Sequence, residues 1–236
     1  MLISVHMPKT AGLSFRATLE SYYGDAFSPD YGDYPLAHSP DERRAAVHNY
    51  AEAIETTEFA GVACIHGHFL PAKYLPLAAD PGCQFVTWLR EPVARLVSHY
   101  AYWQASYDQA SESTSLLHRR VVEEGWTLEQ FCLAPQLRNV YTEFLWGFPH
   151  ERFNFVGITE HFEEDLRYFS THFLGLNATP RHLNERLASA DDSVSAQLAG
   201  LDLVKIRQFH AEDVALYEQE LARRRARETQ ISRARY

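Results

Sequence analysis

Apolar positions along the chain fall into two spacings. Four short stretches, residues 2–5, 61–66, 84–89 and 153–158, are apolar almost throughout and read as buried strands. Between and after them apolar residues recur at the helical period. Helices are predicted over 14–20, from 39 to about 56, over 93–103, 115–124, 127–133 and 138–146, from 159 to about 174, and over 191–199 and 202–224. Ser39-Pro40-Asp41-Glu42 has capping-box spacing with proline at the first helical position, and Thr159 is placed to cap the helix that follows it. In the last helix Leu203, Ile206, Phe209, Val214 and Tyr217 form a core-facing stripe. Residues 24–38 and 175–190 read as irregular loops, the second holding Arg181, Asn184 and Arg186 as polar candidates. No repeat or linker divides the chain, so residues 1–236 are expected to form one α/β domain.

Composition narrows the classes. Three cysteines, an odd number without C-x-x-C spacing, argue against zinc and a disulfide framework, and they fit buried thiols in a reducing compartment. No apolar run approaches the ~20 residues that span a bilayer, so a soluble, cytoplasmic protein with no membrane partner is expected. A net charge of −9 argues against nucleic acid as a partner. That charge is uneven: residues 223–235 hold six arginines against Glu228, a local +5 that leaves −14 on the preceding 222 residues. The Arg-rich tail, about 223–236, reads either as a solvated or frayed helix end or as a basic arm for an acidic partner.

Val5-His-Met-Pro-Lys-Thr-Ala-Gly-Leu-Ser-Phe15 joins the first strand to the first helix through a tight turn. Such a junction aims several backbone N–H groups at one spot, and the helix N-terminus adds positive potential there, so an anion is favoured. Lys9 adds a full charge, Ser14 a hydroxyl, and Gly12 lets backbone approach a ligand without a Cβ in the way. The order is not that of a Walker A loop, because the lysine precedes the glycine. An ordinary strand-to-helix turn with a solvated lysine is the plain alternative.

Two further strand ends carry chemistry. His66-Gly67-His68 puts two titratable imidazoles where open α/β sheets bind ligands, although a lone histidine is more often structural and an H-x-H pair can also bind metal. No third metal ligand follows at convincing spacing, and no metal is expected. Arg90 ends the third strand and Ser98 lies about two turns into the next helix, so both are candidates for a second anion. A salt bridge from Arg90 to a nearby carboxylate such as Glu91 is the competing reading.

With Pro8-Lys-Thr-Ala-Gly-Leu-Ser14 and Trp88-Leu-Arg-Glu-Pro-Val-Ala-Arg-Leu-Val-Ser-His-Tyr100 in view, the chain resembles the sulfotransferases that use 3′-phosphoadenosine 5′-phosphosulfate. It is most similar to the branch of heparan-sulfate and uronyl 2-O-sulfotransferases and their bacterial relatives. Phe155-Val-Gly-Ile-Thr-Glu160 is similar to that branch's late strand-to-helix segment. The resemblance implies a P-loop-like three-layer sandwich around a mainly parallel sheet flanked by helices. It implies that Lys9, Thr10, Ala11, Gly12, Leu13 and Ser14 hold the 5′-phosphosulfate, and that Arg90 and Ser98 hold the 3′-phosphate. It gives His66 the general base role, Lys9 the stabilisation of charge on the leaving phosphate, and His68 a place near the acceptor.

Asn139-Val-Tyr-Thr-Glu-Phe-Leu-Trp-Gly147 follows the relatives' N-x-Q-T-R-x-L-x-G only in part, with Tyr141 for Gln and Glu143 for Arg. Tyr141 is therefore a candidate on the acceptor side, although an aromatic there also reads as core. The acidic body disfavours a heavily sulfated polymer, so a sugar or small natural-product hydroxyl is the expected acceptor. Two other readings stand beside this one. A nucleotide-dependent phosphotransferase needs a lysine after the glycine and an acidic residue for magnesium, and a non-catalytic nucleotide-binding module needs neither base nor acceptor.

Overall fold

The computed structural model describes residues 1–33, 38–111, 114–176 and 192–234. Among these residues the strands are β1 (Leu2–Val5), β2 (Phe27–Asp30), β3 (Cys64–Gly67), β4 (Gln84–Leu89) and β5 (Phe153–Ile158). They form one sheet in the order β2-β3-β1-β4-β5, and every pair is parallel. The helices are α1 (Gly12–Tyr23), α2 (Pro40–Ala53), α3 (Pro92–Ser106), α4 (Leu116–Glu123), α5 (Leu128–Cys132), α6 (Val140–Phe144), α7 (Phe162–Phe173), α8 (Asp192–Ala199), α9 (Leu203–Phe209) and α10 (Ala211–Ala234).

Strand alternation divides the core. Ile3, Val5, Ile65, Phe85, Leu89 and Ile158 point to one face, where Val47 of α2, Phe144 of α6 and Tyr217 of α10 cover them. Leu2, Cys64, Val86, Trp88 and Phe155 point to the other, under Phe15 and Leu19 of α1 and Leu166 and Phe169 of α7. The chain is thus an α/β fold of three layers around a parallel sheet, as expected. Each fully buried Phe or Leu on these helices contributes about 1.5–3 kcal/mol. A third cluster joins α3 to α4, α5, α8 and α9 through Leu96, Trp103, Val121, Phe131, Val194 and Ile206. Among the described residues no helix is long and apolar enough to cross a membrane, and the three cysteines are free, with burial pushing the Cys64 and Cys132 thiols up to about 12.

Several elements differ from their sequence reading. The loop expected over 24–38 contains β2, an edge strand paired with β3. Its Pro29 lacks an N–H and suits an edge, and Gly, Pro and Asp around it hid the strand. The strand expected at 61–66 runs Cys64–Gly67. Thr159 does not cap α7: its hydroxyl donates to Leu89 O (2.9 Å), and α7 starts after a 3-10 turn at Thr159–His161. The last helix is two, because the buried His210 breaks it to hold Cys132 O (2.7 Å) and Asn139 N (3.3 Å). Leu203 is 46% exposed and lies outside the core stripe.

The basic tail is neither frayed nor wholly solvated where it can be followed. Arg224, 3% exposed, donates to Asp165 (2.9 Å) and pairs with Glu228 (2.8 Å), and Arg227 reaches Asp165 too (2.8 Å). Asp165 is 2% exposed and also accepts the Ile158 N–H (2.8 Å), so it ties α10 to the end of β5. Removing one partner of a buried pair strands the other charge, so Asp165→Ala is expected to cost about 3–5 kcal/mol. Urea unfolding at unchanged slope measures this. A loss within the ~0–1 kcal/mol of exposed pairs would show that Asp165 does not hold the helix.

Candidate functional site

The three segments singled out in the sequence lie at the C-terminal ends of three neighbouring strands, β3, β1 and β4. From β1 the chain crosses through α1 to β2 and β3 on one side, then passes to β4 on the other. The ends of these strands therefore flank the switch point at which open parallel sheets take ligands.

After β1 the loop winds tightly. Lys9 (φ 66°) and Ala11 (φ 61°) both adopt left-handed backbone on either side of Thr10, whose hydroxyl donates to Met7 O (2.9 Å). Alternation of right- and left-handed residues turns successive N–H groups toward one concavity, an anion nest. Ala11 precedes α1 with no side-chain cap, and among the described residues no acceptor meets the N–H groups of residues 9–14. Gly12 has a different reason from the one expected: a Cβ there would lie 1.7 Å from His6 Nε2, so its missing side chain makes room for that imidazole.

Lys9 Nζ sits 4.0 Å above the centre of the Tyr102 ring. Burial lowers the ammonium's pKa, and the Arg90 guanidinium lowers it further, so two cations face one region. Neither has an ion-pair partner among the described residues. Glu91, the carboxylate considered for Arg90, is instead bonded to Arg207 (2.6 Å) and caps Ala94 N (2.8 Å). Ser14 and Ser98 are half-buried, and their hydroxyls have no hydrogen-bond partner among the described residues. Tyr141 is fully buried with its hydroxyl on the Arg90 backbone, which does not fit the acceptor contact expected of it.

Register places Ser4 opposite His66, and Ser4 Oγ lies 2.8 Å from His66 Nδ1. One pleat further, the His6 ring stacks on His68 (4.2 Å between centres) and on His66 (5.2 Å), while His6 Nδ1 meets the Tyr31 hydroxyl (3.0 Å). Gly67 between the two histidines is required because a Cβ would lie 1.5 Å from Asp30 O of β2. His66 is 1% exposed, and its Nε2 has no partner among the described residues. Burial, with His68 and Arg16 acting the same way, pushes its pKa down to about 3. His68 is half-buried. Its Nδ1 must carry the proton to donate to the His6 carbonyl (2.5 Å), so the neutral ring keeps a lone pair on Nε2. The rings stack instead of aiming at one centre, and among the described residues no group of side chains could hold a metal ion.

Sequence reasoning missed His6, Arg16, Tyr31 and His99. His6 was legible, because period-two alternation sets Ser4 and His6 beside His66 and His68 once β1 and β3 pair. His99 is buried on α3 and feels both Lys9 and His68, and Arg16 Cζ lies 5.2 Å from the Tyr31 ring. Only tertiary packing brings those three in. Glu143, the relatives' arginine position, pairs with Arg43 (3.1 Å) and Arg44 (3.5 Å). Arg181, Asn184 and Arg186 lie outside the described residues.

The depressed His66 pKa has a thermodynamic consequence. Below an unfolded pKa of 6.5 the unfolded chain takes up a proton that folded His66 refuses until about pH 3, so stability falls as pH falls through that window. His66→Asn removes this contribution. The variant is expected to lose about 2 kcal/mol less than the parent between pH 7.5 and 5, measured by urea unfolding at both values. Equal losses would show that His66 titrates normally in the folded chain.

No protein-family model matches the chain, and no curated protein matches it. Among solved structures it is similar to a sulfotransferase from Alicyclobacillus acidocaldarius, with 15% identity over 92% of this chain and 94% of that one and a TM-score of 0.44. It is also similar to mouse sulfotransferase SULT7A1 complexed with PAP, with 15% identity over 84% of this chain and 62% of that one and a TM-score of 0.36. Overlap of this size does not decide an activity.

Proposed function

We propose that the chain is a sulfotransferase that moves a sulfuryl group from 3′-phosphoadenosine 5′-phosphosulfate to the hydroxyl of a small-molecule or carbohydrate acceptor. One observation carries the reading: the strained loop of residues 9–14 offers unbonded N–H groups and a lysine that feels the Arg90 guanidinium, and neither cation has an ion-pair partner among the described residues. Two phosphate motifs in the family's order and spacing add to it. Together these fit a ligand with two separated anionic groups.

The donor supplies an activated sulfuryl group and a stable leaving phosphate. In this reading Lys9 and the backbone of Thr10, Ala11, Gly12, Leu13 and Ser14 hold the 5′-phosphosulfate, with the Ser14 hydroxyl as a further donor. Fixed N–H groups and a half-buried ammonium stabilise charge growing on departing oxygens without reorganising, often the largest catalytic contribution. Arg90 and Ser98 hold the 3′-phosphate, remote from the chemistry, and supply orientation.

The base comes from the His-Gly-His stretch, the feature nearest the 2-O branch. The resemblance names His66, but its buried ring, engaged at Nδ1 and pushed to about 3, is poorly placed to take a proton. His68 has its tautomer fixed by the His6 carbonyl and Nε2 left as an acceptor. We therefore assign the base to His68 and keep His66 as the support of the stack. Neither role uses a metal ion, and the whole of residues 1–236 is read as one domain.

Calorimetry with adenosine 3′,5′-bisphosphate, adenosine 5′-monophosphate, and ATP with magnesium tests the donor. The bisphosphate is expected to bind best, and Arg90→Ala to weaken it about 10–100-fold, as for a lost charge-assisted bond. Preference for ATP with magnesium would move a phosphotransferase to first place. With a confirmed acceptor, His68→Ala is expected to lower turnover about 10²–10⁴-fold while bisphosphate affinity stays near that of the parent. The same loss in His66→Ala but not in His68→Ala would return the base to His66.

A further inference from the structure

We infer that Tyr141 is a positioning residue for Arg90, holding the 3′-phosphate arm of the site through the Arg90 backbone; this rests on the donor reading above. Between the end of β4 at Leu89 and the start of α3 at Pro92 the chain leaves the sheet ladder. Its backbone polar groups there need partners from elsewhere. Side chains supply all four. Thr159 Oγ1 donates to Leu89 O (2.9 Å), and Glu91 N donates to Glu160 Oε1 (2.9 Å). Both groups of Arg90 use a single atom: its N–H donates to the Tyr141 hydroxyl (3.0 Å), which donates in turn to its carbonyl (2.8 Å).

One hydroxyl bonded to the peptide groups on both sides of a Cα fixes their orientation, and with it the direction of the Cα–Cβ bond. This matters because the Arg90 guanidinium has no ion-pair partner among the described residues, so its aim depends on the backbone. Tyr141 is itself immobile. It is fully buried, Asp213 accepts its N–H (3.1 Å) together with the N–H (3.1 Å) and hydroxyl (3.3 Å) of Thr142, and the buried Arg95 Cζ lies 5.5 Å from its ring. Burial raises the phenol's pKa, which keeps the hydroxyl protonated and able to donate. Glu160 is steadied in turn by the Tyr217 hydroxyl (3.1 Å), so α6 and α10 both act on the turn.

Tyr141→Phe removes the hydroxyl and keeps the ring. The first readout is amide hydrogen exchange at Arg90, expected to quicken about tenfold or more, as for the loss of a net ~1–1.5 kcal/mol bond. The second is the preference for adenosine 3′,5′-bisphosphate over adenosine 5′-monophosphate, expected to fall by a similar factor. The double variant Tyr141→Phe with Arg90→Ala is expected to bind no worse than Arg90→Ala alone. A purely structural role would lower the melting temperature and leave that preference untouched, and this result would overturn the proposal. Unchanged exchange at Arg90 would overturn it as well. A parent chain that bound the two nucleotides alike would sink the donor reading, while exchange at Arg90 would still decide whether Tyr141 holds the turn. Should Tyr141→Phe fail to fold, Asp213→Asn loosens the Tyr141 main chain and keeps its hydroxyl. It is expected to give both changes in smaller measure, and unchanged values there would overturn the proposal too.

Discussion

Lys9 and Ala11 are held at positive φ although neither is glycine, a backbone state that costs each about 1–2 kcal/mol. Such strain persists only where the surroundings over-determine it. Here β1 is locked between β3 and β4, Thr10 ties the loop back to Met7, and α1 is pinned by Phe15 and Leu19 against the sheet. The gain is a ring of N–H groups turned outward together. Lys9 over Tyr102 and Gly12 against His6 take their places from that winding.

Electrostatically the region is one-sided by arrangement. Glu91 is committed to Arg207 and Glu143 to Arg43 and Arg44, and among the described residues no acid pairs with Lys9 or Arg90. His6, His66, His68 and His99 are all pushed toward the neutral form, chiefly by burial. Neutral rings leave the positive potential to the lysine, the arginine and the backbone. They also keep an imidazole lone pair available at neutral pH. On a chain of net −9, two cations without an ion-pair partner among the described residues favour an anion beside them.

How far the sequence revealed this follows from range. Four of the five strands described were readable because β1, β3, β4 and β5 are short apolar runs, and the capping box at Ser39 announced α2. β2 was not, since Phe27-Ser-Pro-Asp30 is no apolar run and its proline reads as loop. The anion loop, Arg90 and the histidine pair were visible as local motifs. What they rest on was not: Tyr141 reaches Arg90 across 51 residues, and Asp213 reaches Tyr141 across 72. No local pattern encodes such pairs. Tyr141 read as a substitution on the acceptor side, and its hydroxyl lies on the Arg90 backbone. The arginines near the C-terminus read as a tail because their partner, Asp165, lies 59 residues earlier.

The order in which these pieces leave the ribosome gives the C-terminal helices a further meaning. Every strand among the described residues, the loop of residues 9–14 and Arg90 are synthesised before α9 and α10, yet Glu91 waits for Arg207, Tyr141 for Asp213, and the end of β5 for Arg224 by way of Asp165. Until α10 emerges, Asp165 has neither Arg224 nor Arg227 to pair with. Vectorial synthesis therefore leaves the Leu89–Pro92 turn and the end of β5 without these partners until α9 and α10 have emerged.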